Sequence, residues 1–209
     1  MIVLLINGSC HKNGCTFTAL TEIKTTLKVH GIESEIIQLG SGAIKDCVAC
    51  GKCRSLNNKC IFGDDDIVNE LLAKAAKADG FVFGTPVYYA HPSGRILSLL
   101  DRLFYAGGKS FAYKPGAAVA SARRAGTTAS IDVLNKYFTI CNMPVVSSQY
   151  WNMVHGNCAE EVKKDEEGMQ TMRALAANMA WLLKCIEAGK EKGIVPSHRE
   201  QRIMTNFIR

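Results

Sequence analysis

The sequence predicts one α/β domain in which helices cover both faces of a five-stranded parallel sheet. The chain has 209 residues, of which 47% are hydrophobic and 21% charged, an ordinary globular balance that suits a single core. Strand-length apolar runs alternate with helical patterns five times, without a linker or an internal repeat. Such alternation implies parallel strands joined by right-handed crossovers.

The first strand and helix are the clearest elements. Met1–Ile6 is a short apolar run that stops at Asn7-Gly8, which indicates a fully buried strand. The spacing of apolar residues by three or four predicts a helix over Thr16–His30, and Gly31 is a typical helix end.

A long loop separates the next strand from the second helix. Glu33–Leu39 alternates as a strand with one wetter face, whereas Ser41–Gly63 is not periodic and is interpreted as a functional loop. Acidic residues from Asp64 onward favour a helix start, and that helix is predicted to reach about Ala78.

The remaining elements follow the same alternation. Ser93 is predicted to cap a helix that reaches about Tyr105. The later predicted strands are Asp79–Gly84, Ala117–Ala122 and Met143–Ser148; the later helices are Gly126–Asn142 and a long one within Glu160–Ala188. We therefore expect one domain over residues 1–189, with an inserted loop at 41–63, and a polar, basic tail over 190–209.

Charge and hydropathy argue against two classes of partner. The net charge is +6, but no run of five or six Lys or Arg occurs, so we expect no nucleic-acid binding. No stretch of about 20 apolar residues and no signal-peptide pattern is visible, so we expect no membrane partner and a cytoplasmic protein. A mildly basic chain of this kind suits anionic cofactors.

Ligands of open parallel sheets bind outside the carboxyl ends of the strands. Five loops are expected to share that edge, and function is therefore sought in them. They are residues 7–15, 41–63, 85–92, 121–126 and 148–158.

The first of these loops has the features of an anion site. It joins a buried strand to a helix N-terminus, where backbone N–H groups and the helix dipole favour negative charge. Ser9, Asn13 and Thr16 add donors, and His11 and Lys12 add positive charge. The dinucleotide glycine fingerprint and the lysine-bearing P-loop are both absent, so a terminal phosphate is favoured. A plain capped turn is the alternative.

The third and fourth loops suit a flat ring. Tyr88 and Tyr89 present flat faces beside Pro86, and Arg123 or Arg124 can hold negative charge near Gly126, where the backbone can come close. The alternatives are core or interface packing for the tyrosines and a solvated loop for the arginines.

These motifs together resemble the NADPH-dependent FMN reductase and multimeric flavodoxin family. The resemblance rests on Gly8-Ser9…Lys12-Asn13-Gly14…Thr16, Thr85-Pro86-Val87-Tyr88-Tyr89 and Asp101-Arg102, and on Tyr150-Trp151-Asn152…His155-Gly156 and Asn178-Met179-Ala180-Trp181. It implies a flavodoxin-like three-layer sandwich with strand order 2-1-3-4-5, and FMN held at the interface of a homodimer or homotetramer.

The resemblance also implies the cofactor-binding residues. The phosphate falls on Ser9, His11, Asn13, Cys15 and Thr16. The isoalloxazine falls on Pro86, Val87, Tyr88 and Tyr89, and on Ser121, Arg123, Arg124 and Gly126 of the fourth loop. The family often has Arg in place of His11 and Asn in place of Cys15, so these two positions depart from its pattern.

Four of the nine cysteines lie within fourteen residues, with the spacing C-x2-C-x2-C-x6-C. They are Cys47, Cys50, Cys53 and Cys60. Short two-residue gaps are typical of iron–sulfur ligation, and the spacing resembles that of iron–sulfur flavoproteins, which carry a [4Fe-4S] cluster beside FMN. Redox-active thiols or a disulfide, a zinc site and plain structural thiols remain alternatives.

The functional hypothesis is an FMN-dependent oxidoreductase that passes electrons from NAD(P)H to a quinone or another small or protein acceptor. Since the flavin carries the chemistry, no catalytic side chain is expected. One alternative is an iron–sulfur flavoprotein that carries electrons between partner proteins, and another is a non-enzymatic metal-binding module. Cys141 and Cys185 are expected in the core, and Asp101-Arg102 as a structural ion pair.

Overall fold

The computed structural model describes residues 1–197, 200–201 and 203–205, and its central feature is a mostly parallel sheet. Five strands run parallel in the order β2-β1-β3-β5-β6, and β4 pairs antiparallel with β3. The predicted order 2-1-3-4-5 of the five parallel strands is therefore confirmed. The strands are β1 Ile2–Asn7, β2 Glu33–Gln38, β3 Gly80–Tyr88, β4 His91–Pro92, β5 Gly116–Ala122 and β6 Met153–His155.

Helices cover both faces of this sheet, because successive strand residues point to opposite sides. Leu4 and Phe81 pack with α2, α3 and α4 on one face, whereas Leu5 and Val82 pack with α1 and α6 on the other. The helices are α1 Cys15–Val29, α2 Val68–Lys77, α3 Gly94–Phe111, α4 Thr127–Ile140, α5 Ala159–Val162 and α6 Glu166–Glu191. The expected three-layer arrangement is confirmed.

The last parallel strand differs from the prediction over Met143–Ser148. In that segment only Val145 forms an isolated parallel bridge, with Gly116. The continuous pairing instead joins Met153–His155 to the end of β5. Pro144 has no N–H to give to a ladder, and the chain leaves the sheet after Val146 before it returns at Asn152, whose carbonyl accepts from Ala120 N at 3.0 Å.

The predicted loop Thr85–Pro92 is largely a hairpin. Strand β3 continues through Tyr88 and pairs with β4, so Tyr88 lies opposite His91. Tyr89 and Ala90 form the tip with φ values of 51° and 59°, as both central residues of a tight type I′ hairpin require. Asn, Asp or Gly usually fills these positions, which is why the sequence indicated a loop.

Three helix ends also differ from the predicted ones. Helix α2 begins at Val68 rather than Asp64, and Asp66 accepts the Val68 N–H at 3.1 Å. Helix α3 continues past the predicted end at Tyr105 and reaches Phe111. It contains Gly107, which permits close packing against α2 because a Cβ there would lie 2.5 Å from Leu72 Cδ2. Helix α6 passes the expected domain boundary at 189, and residues 198–199, 202 and 206–209 of the predicted tail lie outside the described residues.

No helix in the described part of the chain combines the length and apolar character that a membrane span needs.

Candidate functional site

An open cleft of about 750 Å³ lies at the carboxyl edge of the sheet, where the loops after β1, β3, β5 and β6 meet. A volume of this order accommodates a cofactor-sized molecule. The lining residues are Ser9, His11–Thr16, Pro86–Tyr88, Ser121–Arg123 and Gly156–Glu160.

The start of α1 brings backbone N–H donors to this cleft. Gly14 is its N-cap and supplies no side-chain hydrogen bond, and the first turn contains no acidic residue. The first backbone N–H groups of a helix lack intrahelical partners, and the dipole adds positive potential there. His11, Lys12 and Arg123 line the same space. The arrangement is therefore built to receive a negatively charged group.

The loop that carries these donors is held in place by its own hydrogen bonds. Ser9 is buried; its N–H donates to Asn7 Oδ1 at 3.1 Å, and its Oγ accepts from the His11 N–H at 3.1 Å. Gln38 Nε2 of β2 donates to the Ser9 carbonyl at 2.7 Å. Thr16 and Ser121 share a hydroxyl–hydroxyl bond of 2.8 Å, which ties α1 to the end of β5. These hydrogen bonds fix the first loop against β2 and the end of β5.

Cys15 contributes a hydrogen bond between two loops and no charge. Burial raises the pKa of its thiol, and the neighbouring Cys158, Glu161 and Glu160 act in the same direction. The thiol is therefore protonated near neutral pH, and Cys15 Sγ donates to the Gly156 carbonyl at 3.5 Å. This bond joins the first loop to the fifth.

The hairpin after β3 forms the wall beside the anion site. Tyr88 lines the cleft and is half exposed, and burial together with the Cys10 thiol raises the pKa of its phenol. The hairpin tip rests on Gly126, which has φ +89° and whose added Cβ would lie 2.5 Å from Ala90 Cα. Glycine at position 126 therefore allows the hairpin to approach the loop after β5 this closely.

We expect Gly126→Ala to weaken ligand binding in the cleft roughly tenfold to a hundredfold. The methyl group meets backbone and the residue keeps a left-handed conformation, which together cost about 1–3 kcal/mol. Affinity for a flavin, measured by quenching of its fluorescence, tests this. Gly40→Ala is the matched control, since Gly40 also has a positive φ of 70° but no neighbour within 4 Å of its added Cβ. Equal losses in both variants would contradict the packing argument.

The structure brings most of the expected cofactor-binding residues together. Those in the cleft lining are Ser9, His11, Asn13, Cys15, Thr16, Pro86, Val87, Tyr88, Ser121 and Arg123. Tyr89, Arg124 and Gly126 lie outside the lining: Tyr89 is fully exposed, and Gly126 supports the hairpin from behind. The cofactor-binding residues expected from the sequence included none from the fifth loop, although its position at the sheet edge had singled it out. Residues 156–160 line the cleft from that loop.

The cysteine loop, one of the five loops expected at this edge of the sheet, does not line the cleft. Cys47, Cys50, Cys53 and Cys60 line a separate pocket against α3, of about 20 Å³. The loop is anchored there because Cys60 N donates to Asn69 Oδ1 at 2.7 Å, and Asn69 Nδ2 donates back to the Cys60 carbonyl at 3.0 Å. Within the described residues, no three His, Cys, Asp or Glu side chains are grouped closely enough to hold a metal ion.

A buried arginine closes this cysteine pocket. Arg102 of α3 is 2% exposed; its Nε donates to Cys60 Sγ at 3.2 Å, and its Nη1 donates to Asp66 and, at 3.1 Å, to the Lys45 carbonyl. Its Nη2 is buried and has no hydrogen-bond partner among the described residues. The Phe62 ring lies 4.9 Å from the guanidinium carbon.

Two further expectations are corrected by these contacts. Arg102 pairs with Asp66 rather than with Asp101, which accepts a hydrogen bond from Tyr137. Adjacent helical residues point about 100° apart, so consecutive positions do not face each other. Cys185, expected in the core, is exposed, and Cys141 is only partly buried.

Comparisons with known proteins agree with this architecture. A family model described as NADPH-dependent FMN reductase matches residues 1–157. An iron–sulfur flavoprotein of Methanocaldococcus jannaschii is 31% identical over 195 residues, which is 90% of this chain and 100% of that protein. An iron–sulfur flavoprotein of Archaeoglobus fulgidus is 38% identical over 102 residues, or 49% of this chain and 48% of that protein.

Solved structures show the same fold at low identity. A WrbA-like flavodoxin from Agrobacterium tumefaciens has a TM-score of 0.59 at 15% identity and covers 88% of this chain and 96% of its own. A structure described as flavone reductase has a TM-score of 0.67 at 20% identity, over 90% of this chain and 64% of that one. The fold is therefore the flavodoxin-like sandwich that the resemblance implied.

Proposed function

This chain belongs to the NADPH-dependent FMN reductase family, in its iron–sulfur flavoprotein branch, and from that premise we propose an activity for it. The chain is a flavin-dependent oxidoreductase. Our proposal is that it binds FMN in the cleft and passes electrons from NAD(P)H to a quinone or another small acceptor. The observation that carries the proposal is the uncapped start of α1 facing the Tyr88 wall across one cleft.

The residues of the cleft fit FMN in charge and shape. Ser9, Asn13 and Thr16 offer donors beside the free N–H groups of α1, and His11 with Lys12 adds positive charge. Such a loop suits a terminal phosphate of about −1.5 to −2 charges. Cys15 is neutral and tied to Gly156, so we assign it to the shape of the site rather than to its charge.

The ring of the flavin is assigned to the opposite part of the cleft. Pro86, Val87 and Tyr88 give an apolar wall, and Ser121 with Arg123 gives polar contacts. Tyr89 and Arg124 lie outside the cleft of their own chain. We therefore propose that they contact a neighbouring subunit in a homodimer or homotetramer, while Gly126 positions the hairpin.

No side chain of the cleft needs to act as a general acid or base. The bound flavin supplies hydride and electron transfer, and the protein contributes binding, orientation and electrostatics. Arg123 is placed to favour negative charge on the ring, since guanidinium stays protonated throughout the working range of pH. We accordingly assign no catalytic residue.

A flavin-loading and reduction experiment tests this activity. We expect purified protein to take up FMN stoichiometrically and NADPH or NADH to bleach its absorption within the time of turnover, followed in an anaerobic stopped-flow instrument. Protein that takes up no FMN refutes the cofactor assignment. Loaded protein that stays oxidised with both nicotinamides refutes the reductase and favours an electron carrier.

The four thiols support a second candidate, an iron–sulfur flavoprotein that carries electrons between partner proteins. Four sulfur donors around one pocket match the ligand set of a [4Fe-4S] cluster, which supplies one-electron transfer when bound. The buried, unpartnered Arg102 Nη2 at the same pocket fits an anionic occupant. We propose that Cys47, Cys50, Cys53 and Cys60 hold it.

The pocket must widen to accept such a group, since its volume is about 20 Å³. The loop permits this, because between β2 and α2 it contains no helix or strand besides one 3₁₀ turn at Lys52–Arg54. Measurement of iron and acid-labile sulfide after anaerobic reconstitution tests whether the four cysteines hold the cluster. About four of each per chain are expected; zinc without iron would favour the metal-binding alternative.

A further inference from the structure

Arg102 carries one hydrogen-bonding group that the folded chain leaves unused. Its side chain is 1% exposed, and its Nη2 is buried without a partner. A buried polar group without a partner is costly, and native structures rarely keep one without a reason. An occupant of the pocket that accepts this bond would remove the cost.

The planar geometry of the guanidinium group indicates the position of the group that would accept the Nη2 hydrogen bond. The Nε–H and one Nη2–H leave from the same edge of the planar group and form a two-pronged donor. The Nε prong is directed at Cys60 Sγ, 3.2 Å away. The Nη2 prong is therefore directed at the space beside that sulfur, inside the pocket that the other three thiols line.

The opposite side of the guanidinium group is already occupied. Nη1 donates to Asp66 and to the Lys45 carbonyl, and the Phe62 ring lies 4.9 Å from the guanidinium carbon. Asp66, whose side chain is 5% exposed, holds the arginine in position through Nη1. The structure thus keeps one donor of Arg102, Nε–H, on Cys60 Sγ and leaves a second, Nη2–H, beside it at the pocket.

We propose that Arg102 sets the reduction potential of the sulfur-ligated centre, an inference that rests on the [4Fe-4S] assignment above. Arg102 is a positioning residue: its Nε donates to Cys60 Sγ, and its Nη2 would donate to a second sulfur of the bound centre. Reduction adds one negative charge, which a fixed cation and donors on sulfur stabilise. Hydrogen bonds to the sulfurs and net charge are among the factors that tune such potentials.

Redox titration of the reconstituted protein, followed by electron paramagnetic resonance, tests the inference. In the double variant Arg102→Gln/Asp66→Asn, which leaves no unpaired buried charge, we expect the potential to fall by at least 59 mV, a tenfold change in the one-electron equilibrium. Arg102→Lys keeps the charge but loses the two-pronged donor, so an intermediate fall is expected. Arg54→Gln removes an exposed charge next to Cys53 and should leave the potential unchanged.

The outcomes separate this inference from the one on which it rests. Wild-type protein that takes up no iron and sulfide overturns both. Wild-type protein that does so, with the same potential in all three variants, overturns only the role of Arg102. A fall in the Arg54→Gln variant as large as in the double variant also overturns it, because a general charge effect then suffices. Loss of the cluster from the Arg102 variants, with FMN content and circular dichroism retained, also overturns it, because Arg102 then retains the centre instead of setting its potential.

Discussion

Replacing Asn13 with Asp is expected to weaken FMN binding about a hundredfold to a thousandfold. Asn13 is exposed and lines the cleft at the loop that precedes α1. The change adds one negative charge with almost no change of shape. Two unit charges about 4 Å apart repel by about 4 kcal/mol at an effective dielectric constant near 20, and the phosphate bears more than one charge.

Riboflavin separates this electrostatic effect from damage to the loop. It lacks the phosphate, so its affinity should be nearly the same in the wild-type and Asn13→Asp proteins. The empty variant should fold normally, because a carboxylate near a helix N-terminus is favourable. Asn57→Asp, an exposed change in the cysteine loop outside the cleft, is the matched control. Fluorescence titration of the three proteins with both flavins measures the six affinities, and equal losses for FMN and riboflavin in Asn13→Asp would contradict the phosphate assignment.

Replacing Arg102 with Met is expected to lower the free energy of unfolding of the cofactor-free protein by about 3–5 kcal/mol. The ion pair with Asp66 is buried, with 1% and 5% of the two side chains exposed. Removal of one partner leaves a buried charge uncompensated, which is far more costly than removal of both. Urea unfolding of the empty protein measures the loss, and Arg102→Met/Asp66→Asn should recover much of it.

The pH dependence of this loss provides its control. Burial by itself would raise the pKa of Asp66, but hydrogen bonds from Arg102 and from the Val68 N–H outweigh it, and the pKa lies below its usual 3.8. A lowered folded-state pKa contributes stability above the unfolded value, and this contribution is lost as pH falls through the folded one. The deficit of Arg102→Met should therefore be full near pH 7 and shrink below about pH 4. A deficit independent of pH would point to lost packing.

Local sequence patterns predicted the parallel sheet because a buried strand and an amphipathic helix each show their characteristic spacing of apolar residues within a few positions. Met1–Ile6 is apolar throughout, which only a strand buried on both faces requires, and the apolar stripe of α1 returns every three or four residues. The Thr85–Pro92 hairpin gave no such signal. Tyr89 and Ala90 adopt positive φ values of 51° and 59°, which tertiary contact with Gly126 makes possible and their residue types do not favour.

The last parallel strand of the sheet was also not predictable from local sequence patterns. Met143–Ser148 has the better strand composition, yet Met153–His155 pairs with β5, because Pro144 and the buried amide of Asn152 decide where the ladder continues. The residues that line the cleft also differ in how far the sequence predicted them. Ser9, Asn13 and Thr16 were predictable from the strand-to-helix loop, whereas Gly156–Glu160 join the cleft only because β6 brings them to the same edge.

The sequence by itself determined the family, the three-layer fold, the strand-to-helix loop that lines the cleft and the four-thiol motif, since each depends on residue type at short spacing. Only the tertiary structure decided that the thiols line a pocket separate from the cleft, and that Arg102 of α3 serves that pocket. Arg102 and Cys60 are 42 positions apart. Nothing local to either residue encodes their contact, which depends on the way α2 and the cysteine loop pack against α3.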